Sequence, residues 1–369
     1  MRKKLVLALV FAFIAANSFA KEVYHIGFLG NTGNAVNRVL FDTLRAAVSE
    51  YNEGEDKPAV VEAVIFDDEQ EGWEKEIRND KKLAGLFSVF SEKHEEYIKK
   101  EAKIPLVTVA DTYQGFTAAG EKNRFRVSPS QEYMADALCA FGIGVLKRGS
   151  FAIIYSDSSP DYKAAAEAFA SRMRANRITV DYIRDVEESR RDFTNLLLRI
   201  RDLKKQVIYF AGPPDAAAGL ARMSREMNVG AMFMGMNTIG NRAFIRRAKT
   251  GANQSAFVDM IPQSVYGFSR FRPFLKRYHE EYRGENNYMP FLYDGVRLML
   301  AGIDAGETRG RALSDWMRTQ RHAGVTGTVN FRENGERAVS QVFHYIIARN
   351  EVMFRRLSQQ ENSDLKRVK

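Results

Sequence analysis

Gly324-Val-Thr-Gly-Thr-Val-Asn-Phe331, the turn Glu333-Asn334-Gly335 and the alternating apolar run Gln341-Val-Phe-His-Tyr-Ile-Ile347 carry most of the information about the fold. Gly324 and Gly327 bracket a β-prone segment, and the glycine-bearing turn after Phe331 returns the chain into two further strand candidates. Taken alone, these residues describe an ordinary hairpin. Coming after more than three hundred residues of α/β pattern, they also fit an extended, glycine-flanked crossover, a late hinge strand between two lobes.

Upstream, strand-like runs at 23–29, 59–66, 83–90 and 105–110 alternate with helical patterns, the clearest of which puts Val36, Leu40, Leu44, Ala47, Val48 and Tyr51 on one face. Such alternation builds a parallel sheet covered by helices. A second series begins after Pro129, with a helix striped by Met134, Leu138, Phe141 and Val145, a strand at 151–155 and a helix from about Asp161. It continues with a strand at 178–183, a helix carrying Phe193, Leu196, Leu197, Ile200 and Leu203, and strands at 206–210 and 232–235. The pattern predicts two similarly built α/β lobes, and 369 residues exceed what one hydrophobic core usually serves. Residues 268–320 read as mostly helical, with Phe274, Tyr278 and Tyr282 spaced by four.

Arg2-Lys3-Lys4, the apolar run from Leu5 to Ala15 and the small residues Ser18 and Ala20 describe a cleavable secretory signal over 1–20, too short for a membrane span. No cysteine follows Ala20, so lipid anchoring at that point is not expected. Cys139 is the only cysteine, which excludes an internal disulfide and reads as a buried small apolar residue. The formal charge is +9, or +6 without Arg2, Lys3 and Lys4, and its basic residues are dispersed among acids, which argues against nucleic-acid binding.

Signals for catalysis or a cofactor are weak. His25, His94, His279, His322 and His344 are scattered without metal-ligand spacing. Gly27-Phe-Leu-Gly30-Asn-Thr-Gly33 lacks both the dinucleotide spacing and the Lys-Ser/Thr of a phosphate loop, and no G-x-S-x-G occurs. No enzyme activity, cofactor or metal is expected.

Val23-Tyr-His-Ile-Gly-Phe-Leu29, Phe66-Asp-Asp68, Lys103-Ile-Pro-Leu-Val-Thr108, Phe125-Arg-Val127, Phe151-Ala-Ile-Ile-Tyr155 with Asp161-Tyr162, Phe233-Met-Gly235, Tyr293-Asp294 and the GVTG segment occur in this order. The order resembles the periplasmic solute-binding proteins of the leucine/isoleucine/valine-binding type, receptors of ABC importers, from Val23 to about Phe354. The resemblance implies a type I periplasmic binding fold: two Rossmann-like lobes with central parallel sheets joined by a three-strand hinge. It divides the chain into a signal at 1–20, a first lobe at 21–128 and 263–328, a second at 129–262 and 329–356, and a polar tail at 357–369 that frays. The crossings would fall at 128–130, 260–264 and 326–330.

Open parallel sheets bind ligands beyond the carboxyl ends of their strands. In the first lobe this edge offers Phe90 and Ser91, then Ala110, Asp111 and Thr112. The resemblance implies that Ser91 and Thr112 hold a ligand carboxylate. Phe90 and Asp111 depart from the small neutral residues usual there, and would suit an aromatic or amine-bearing ligand if they face it. In the second lobe the resemblance implies that Tyr162 packs over the ligand, that Gly212 and Pro213 follow the next strand, and that Asn237 stands where an acid often meets the ligand ammonium. Helix capping by Ser91, a turn at Asp111 and stiffening by Pro214 are the structural alternatives. The expected protein is a periplasmic monomer that captures an amino acid or a related small carboxylate or amide and delivers it to an inner-membrane ABC permease. The alternative is a ligand sensor of the same fold that signals to a receptor.

Overall fold

In the computed structural model, which describes residues 21–100, 103–110, 115–118, 121–180, 183–187, 192–278 and 286–361, the first sheet grows around β1 (Glu22–Leu29). It pairs in parallel with β2 (Ala59–Phe66) and β3 (Leu83–Ser88), and β4 (Leu106–Thr108) and β5 (Arg124–Arg126) continue the sheet, also in parallel. All six residues of β3 are buried, the mark of a strand covered on both faces. The helix Ala35–Asn52 begins where the Asn34 side chain accepts the Val36 N–H at 2.8 Å, and it buries Leu40, Leu44, Ala47, Val48 and Tyr51 as the periodicity predicts. Val36, in its first turn, stays exposed.

The second sheet has seven strands in the order β14-β13-β10-β9-β8-β6-β7. Strands β6 (Phe151–Ser156), β7 (Ile183–Val186), β8 (Val207–Ala211), β9 (Met232–Gly235) and β10 (Ser255–Asp259) are parallel. The last two, β13 (Val339–Ala348) and β14 (Glu351–Glu361), run antiparallel. Two mainly parallel sheets with helical cover make this an α/β protein of two Rossmann-like units.

Three local expectations are corrected. Residues 178–180 do not extend β7, because Arg177 adopts φ 61° and the Ile178 N–H closes back on the Met173 carbonyl at 3.0 Å, ending the preceding helix. The segment expected to fray beyond 356 is paired as far as Glu361, since the ten-residue β13 offers a full edge of backbone groups for β14 to satisfy. The GVTG run is not one extended crossover: β11 (His322–Gly324) and β12 (Gly327–Val329) pair antiparallel across a two-residue turn, with Gly327 at φ 96°.

The hairpin stays with the first sheet. Val329 and Phe331, which the boundary expected at 328/329 gives to the second lobe, pack in the same core as Phe125 and Val127. The chain returns to the second sheet after Arg126 and Glu336 bridge, reaching β13 at Val339. Met260 packs against cores on both sides.

Candidate functional site

The strand registers show what each sheet presents at its carboxyl edge. In the first sheet Leu29, Phe66, Ser88, Thr108 and Arg126 end level, so the loops after them leave from one edge. In the second, Ile154, Phe210, Gly235 and Phe257 are aligned, and two residues further on the same edge carries Ser156, Gly212, Asn237 and Asp259. The second edge faces the first lobe, because the crossing at 260–264 leaves from it and Phe343, opposite Asp259, meets Phe268 of the first core edge-on at 5.8 Å. Tyr133 Oη donates to the Ser340 carbonyl at 2.8 Å and Arg337 Nη1 to the Val127 carbonyl at 2.8 Å, tying the crossings together.

Of the first-lobe candidates, Phe90 turns inward. It is fully buried, stacks on Phe116 at 4.9 Å and belongs to the core with Leu86, Tyr97 and Leu106, so it lends no surface to a ligand. Ala110 is likewise buried, and its carbonyl accepts from Thr108 Oγ1 at 3.0 Å and Arg126 Nη1 at 2.9 Å. Asp111 and Thr112 lie outside the described residues, as do 1–20 and Tyr282.

Ser91 remains half-buried at the edge, held by a short relay. Its N–H donates to His94 Nδ1 at 3.1 Å, its hydroxyl lies 3.3 Å from the same nitrogen, and His94 Nε2 meets Asp68 Oδ2 at 2.9 Å. Because Nδ1 accepts the amide proton, Nε2 carries the proton given to Asp68. Burial opposes ionisation of Asp68, but the hydrogen bonds from His94 and Lys93 outweigh it and hold the carboxyl at about 2. The relay has the residue types of a hydrolytic triad. Its imidazole acceptor is already engaged by the backbone, so it braces the loop rather than activating the Ser91 hydroxyl.

In the second lobe Tyr162 sits half-buried in the first turn of the helix Pro160–Ala175, just beyond β6. Gly212 leaves no room for a side chain: a Cβ there would come within 2.6 Å of the Phe210 ring and 3.1 Å of Ser156 Cβ. Pro213 precedes the helix Pro214–Glu226, whose leading Pro214 occupies its first position and stiffens the entry. Asn237 opens a 3₁₀ turn after β9, at the edge where the neighbouring β10 ends in Asp259.

Sequence reasoning passed over Asp259. An acid closing the apolar strand Ser-Ala-Phe-Val-Asp259, just before a crossing, was the signal available. The residue keeps some contact with solvent while its carboxyl is closely enclosed, and that burial pushes its pKa up to about 7 against the opposing hydrogen bonds of Ile261, Met260 and Asn237.

A cavity of about 730 Å³ lies elsewhere. It is a charged groove between Arg126 and Glu336 on one side and Asp136 and Arg172 on the other, and none of the predicted contacts lines it. Cys139 is buried in the second lobe, its thiol pushed up to about 12 chiefly by burial, so it is inert. No cluster of His, Cys, Asp or Glu among the described residues has the arrangement of a metal site. No helix among them is long and apolar enough to cross a membrane.

The periplasmic binding protein profile matches residues 81–349, more than half of the chain. The chain belongs to the periplasmic binding protein family. This is a family of binding proteins rather than enzymes. This periplasmic binding protein is 23% identical over 252 residues to an amino acid binding protein of Pseudomonas aeruginosa, an alignment covering 66% of each chain. It therefore spans just under two thirds of that relative's length. It superposes with a TM-score of 0.78 and 18% identity on a Rhodospirillum rubrum protein assigned to branched-chain amino acid ABC transport, covering 91% of this chain and 100% of that one. A Desulfitobacterium hafniense ABC transporter substrate-binding protein in complex with Leu gives a TM-score of 0.70 at 17% identity, covering 90% and 100%. At these identities the two structures establish the fold, a type I periplasmic binding fold.

Proposed function

We propose that this periplasmic binding protein, exported with removal of residues 1–20, captures an amino acid or related small carboxylate between the carboxyl edges of its two sheets and delivers it to an ABC permease. The supporting observation is the register: the edges carrying Ser91 in one lobe and Tyr162, Gly212, Asn237 and Asp259 in the other both border the crossings. Loops leaving such edges offer free backbone N–H groups suited to a carboxylate. The amino acid named for the Pseudomonas relative and the Leu bound by the Desulfitobacterium protein favour the same solute class. Asp111 and Thr112 belong to this proposed site through the sequence resemblance alone.

A thermal-shift screen over amino acids, their deaminated acids, small amides and aromatic acids tests the reading. A ligand that binds only the folded state raises the transition temperature. A shift with at least one small carboxylate is expected; a flat response across the panel overturns the proposal.

A further inference from the structure

We propose that the outer surface of the second lobe, built from the helices Thr194–Asp202, Pro214–Glu226 and Arg242–Ala248 and bordered by β14, docks on an anionic lipid bilayer. The inference does not depend on which solute the protein takes.

The formal charge is shared unevenly along the chain. Residues 193–254 hold ten Lys and Arg against three Asp and Glu, a net +7, which leaves the rest of residues 21–369 at −1. Spread over three helices and their loops, this excess forms no run of like charges that would mark it in the sequence. The fold gathers it. Along β6, Ala152 and Ile154 face one core and Phe151 and Ile153 the other, so the two cores lie on opposite faces of the second sheet. Leu197, Leu220 and Phe244, one from each of the three helices, all enter the core of Ala152 and Ile154. The three helices therefore turn their polar sides to one outer surface.

Two of the three acids on this surface are already engaged: Asp215 pairs with Arg247, and Glu226 with Arg222 at 3.8 Å. Arg199, Arg201, Arg225, Arg242, Arg246 and Lys249 are exposed and have no ion-pair partner among the described residues. An apolar component lies at the rim. On the outermost strand β14, Phe354 and Leu357 are 56% and 46% exposed and stand opposite Tyr345 and Phe343 of β13. Cross-strand partners share a face, and Tyr345 belongs to the core under the three helices, so both side chains emerge on the face that carries the cations.

The cations are spread over three helices rather than converging on a point, so the complementary partner is an extended sheet of negative charge, not a single ion. Seven of the ten are Arg, whose planar fork suits two-point binding of phosphate. A layer of lipid headgroups presents such phosphates in a plane, and the hydrocarbon boundary beneath it accepts Phe354 and Leu357.

Flotation of the chain lacking residues 1–20 with vesicles of phosphatidylcholine, with or without about one third phosphatidylglycerol, tests this at roughly 50 mM salt. The protein should float only with the anionic vesicles and lose most of that binding at about 1 M salt, where screening shortens the reach of charge to about 3 Å. Combining Arg242→Gln, Arg246→Gln and Lys249→Gln should weaken the binding roughly ten- to a hundred-fold. Lys75→Gln, Lys82→Gln and Arg311→Gln, at exposed positions of the first lobe, remove the same charge and should leave it close to the parent's. Phe354→Ser with Leu357→Ser should weaken it roughly five- to tenfold. Absence of binding to the anionic vesicles at low salt overturns the proposal, as does equal binding to the neutral ones or an equal loss in the two triple variants. A lipid-free dimer in sedimentation that the Arg242 triple variant dissociates, without vesicle binding, assigns the surface to a second copy of the chain and overturns it as well.

Discussion

At the residue scale, the pair Asp294 and Arg337 organises the junction between the lobes. Asp294, 1% exposed in the helix Met289–Asp304, accepts the Val325 N–H at 2.7 Å, the Thr326 N–H at 2.9 Å and the Thr326 hydroxyl, so it holds the two-residue turn of the β11–β12 hairpin. Arg337, also buried, donates to the carbonyls of Val127, Thr328 and Val339 at 2.8, 3.1 and 2.8 Å. Burial raises the Asp294 carboxyl and lowers the Arg337 guanidinium to about 10, and the attraction between them opposes both shifts. Asp294→Ala should therefore cost about 3–5 kcal/mol in chemical denaturation, because it strands a buried guanidinium. Combining it with Arg337→Met should cost less than the sum of the single changes; strict additivity would show that the pair does not act as a unit. Separately, Ser91→Ala, Tyr162→Ala and Asn237→Ala should each weaken the ligand found by screening by roughly ten- to a hundred-fold. Unaltered affinity in all three folded variants would move the site elsewhere.

At the element scale, β13 and β14 decide how the second lobe responds to acid. His344, 3% exposed on β13, has Nε2 2.7 Å from Ser358 Oγ on β14, and burial, reinforced by Arg356, lowers its pKa to about 4. Between about pH 6.5 and 4 the unfolded chain takes up a proton that the folded lobe refuses, so this group makes stability fall as pH falls through that window. Asp259, raised to about 7, works in the opposite sense: the folded state binds its proton first, so its contribution grows as pH falls from about 7 toward 4. The parent should consequently show a muted pH dependence. His344→Gln should lose less stability than the parent on going from pH 7 to 4.5, as read by urea unfolding, and Asp259→Asn should lose more. The β14 pairing itself was not readable in the polar composition of 357–361, because an edge strand satisfies its backbone against β13 whatever its outward side chains are.

At the scale of the whole molecule, the proposed capture requires the lobes to turn about the crossings when a ligand binds. The first and third are tied by Arg337, and the second carries Met260 between the two cores. Contacts made by the second lobe only when the space between the edges shuts would bias the molecule toward a closed form. Small-angle scattering with saturating ligand should give a smaller radius of gyration than without; an identical profile at proven occupancy would mean a rigid cleft.

The sequence by itself determined the alternation of strands and helices, the two-lobed plan, the inert Cys139 and the family, because apolar periodicity and strand-end motifs are local in the chain. It also located Ser91, Tyr162, Gly212 and Asn237 at strand ends, since a strand's last residues betray its carboxyl edge. Only the tertiary structure decided which way those residues turn. Phe90 went inward because Phe116 and the core around Leu86 could cover it, and the GVTG run folded back because Asp294, thirty residues upstream in another element, captures its amides. Asp259 became a candidate for the same reason: its neighbour Asn237 is distant in the chain and adjacent in the sheet, and register across strands is a property of the assembled fold.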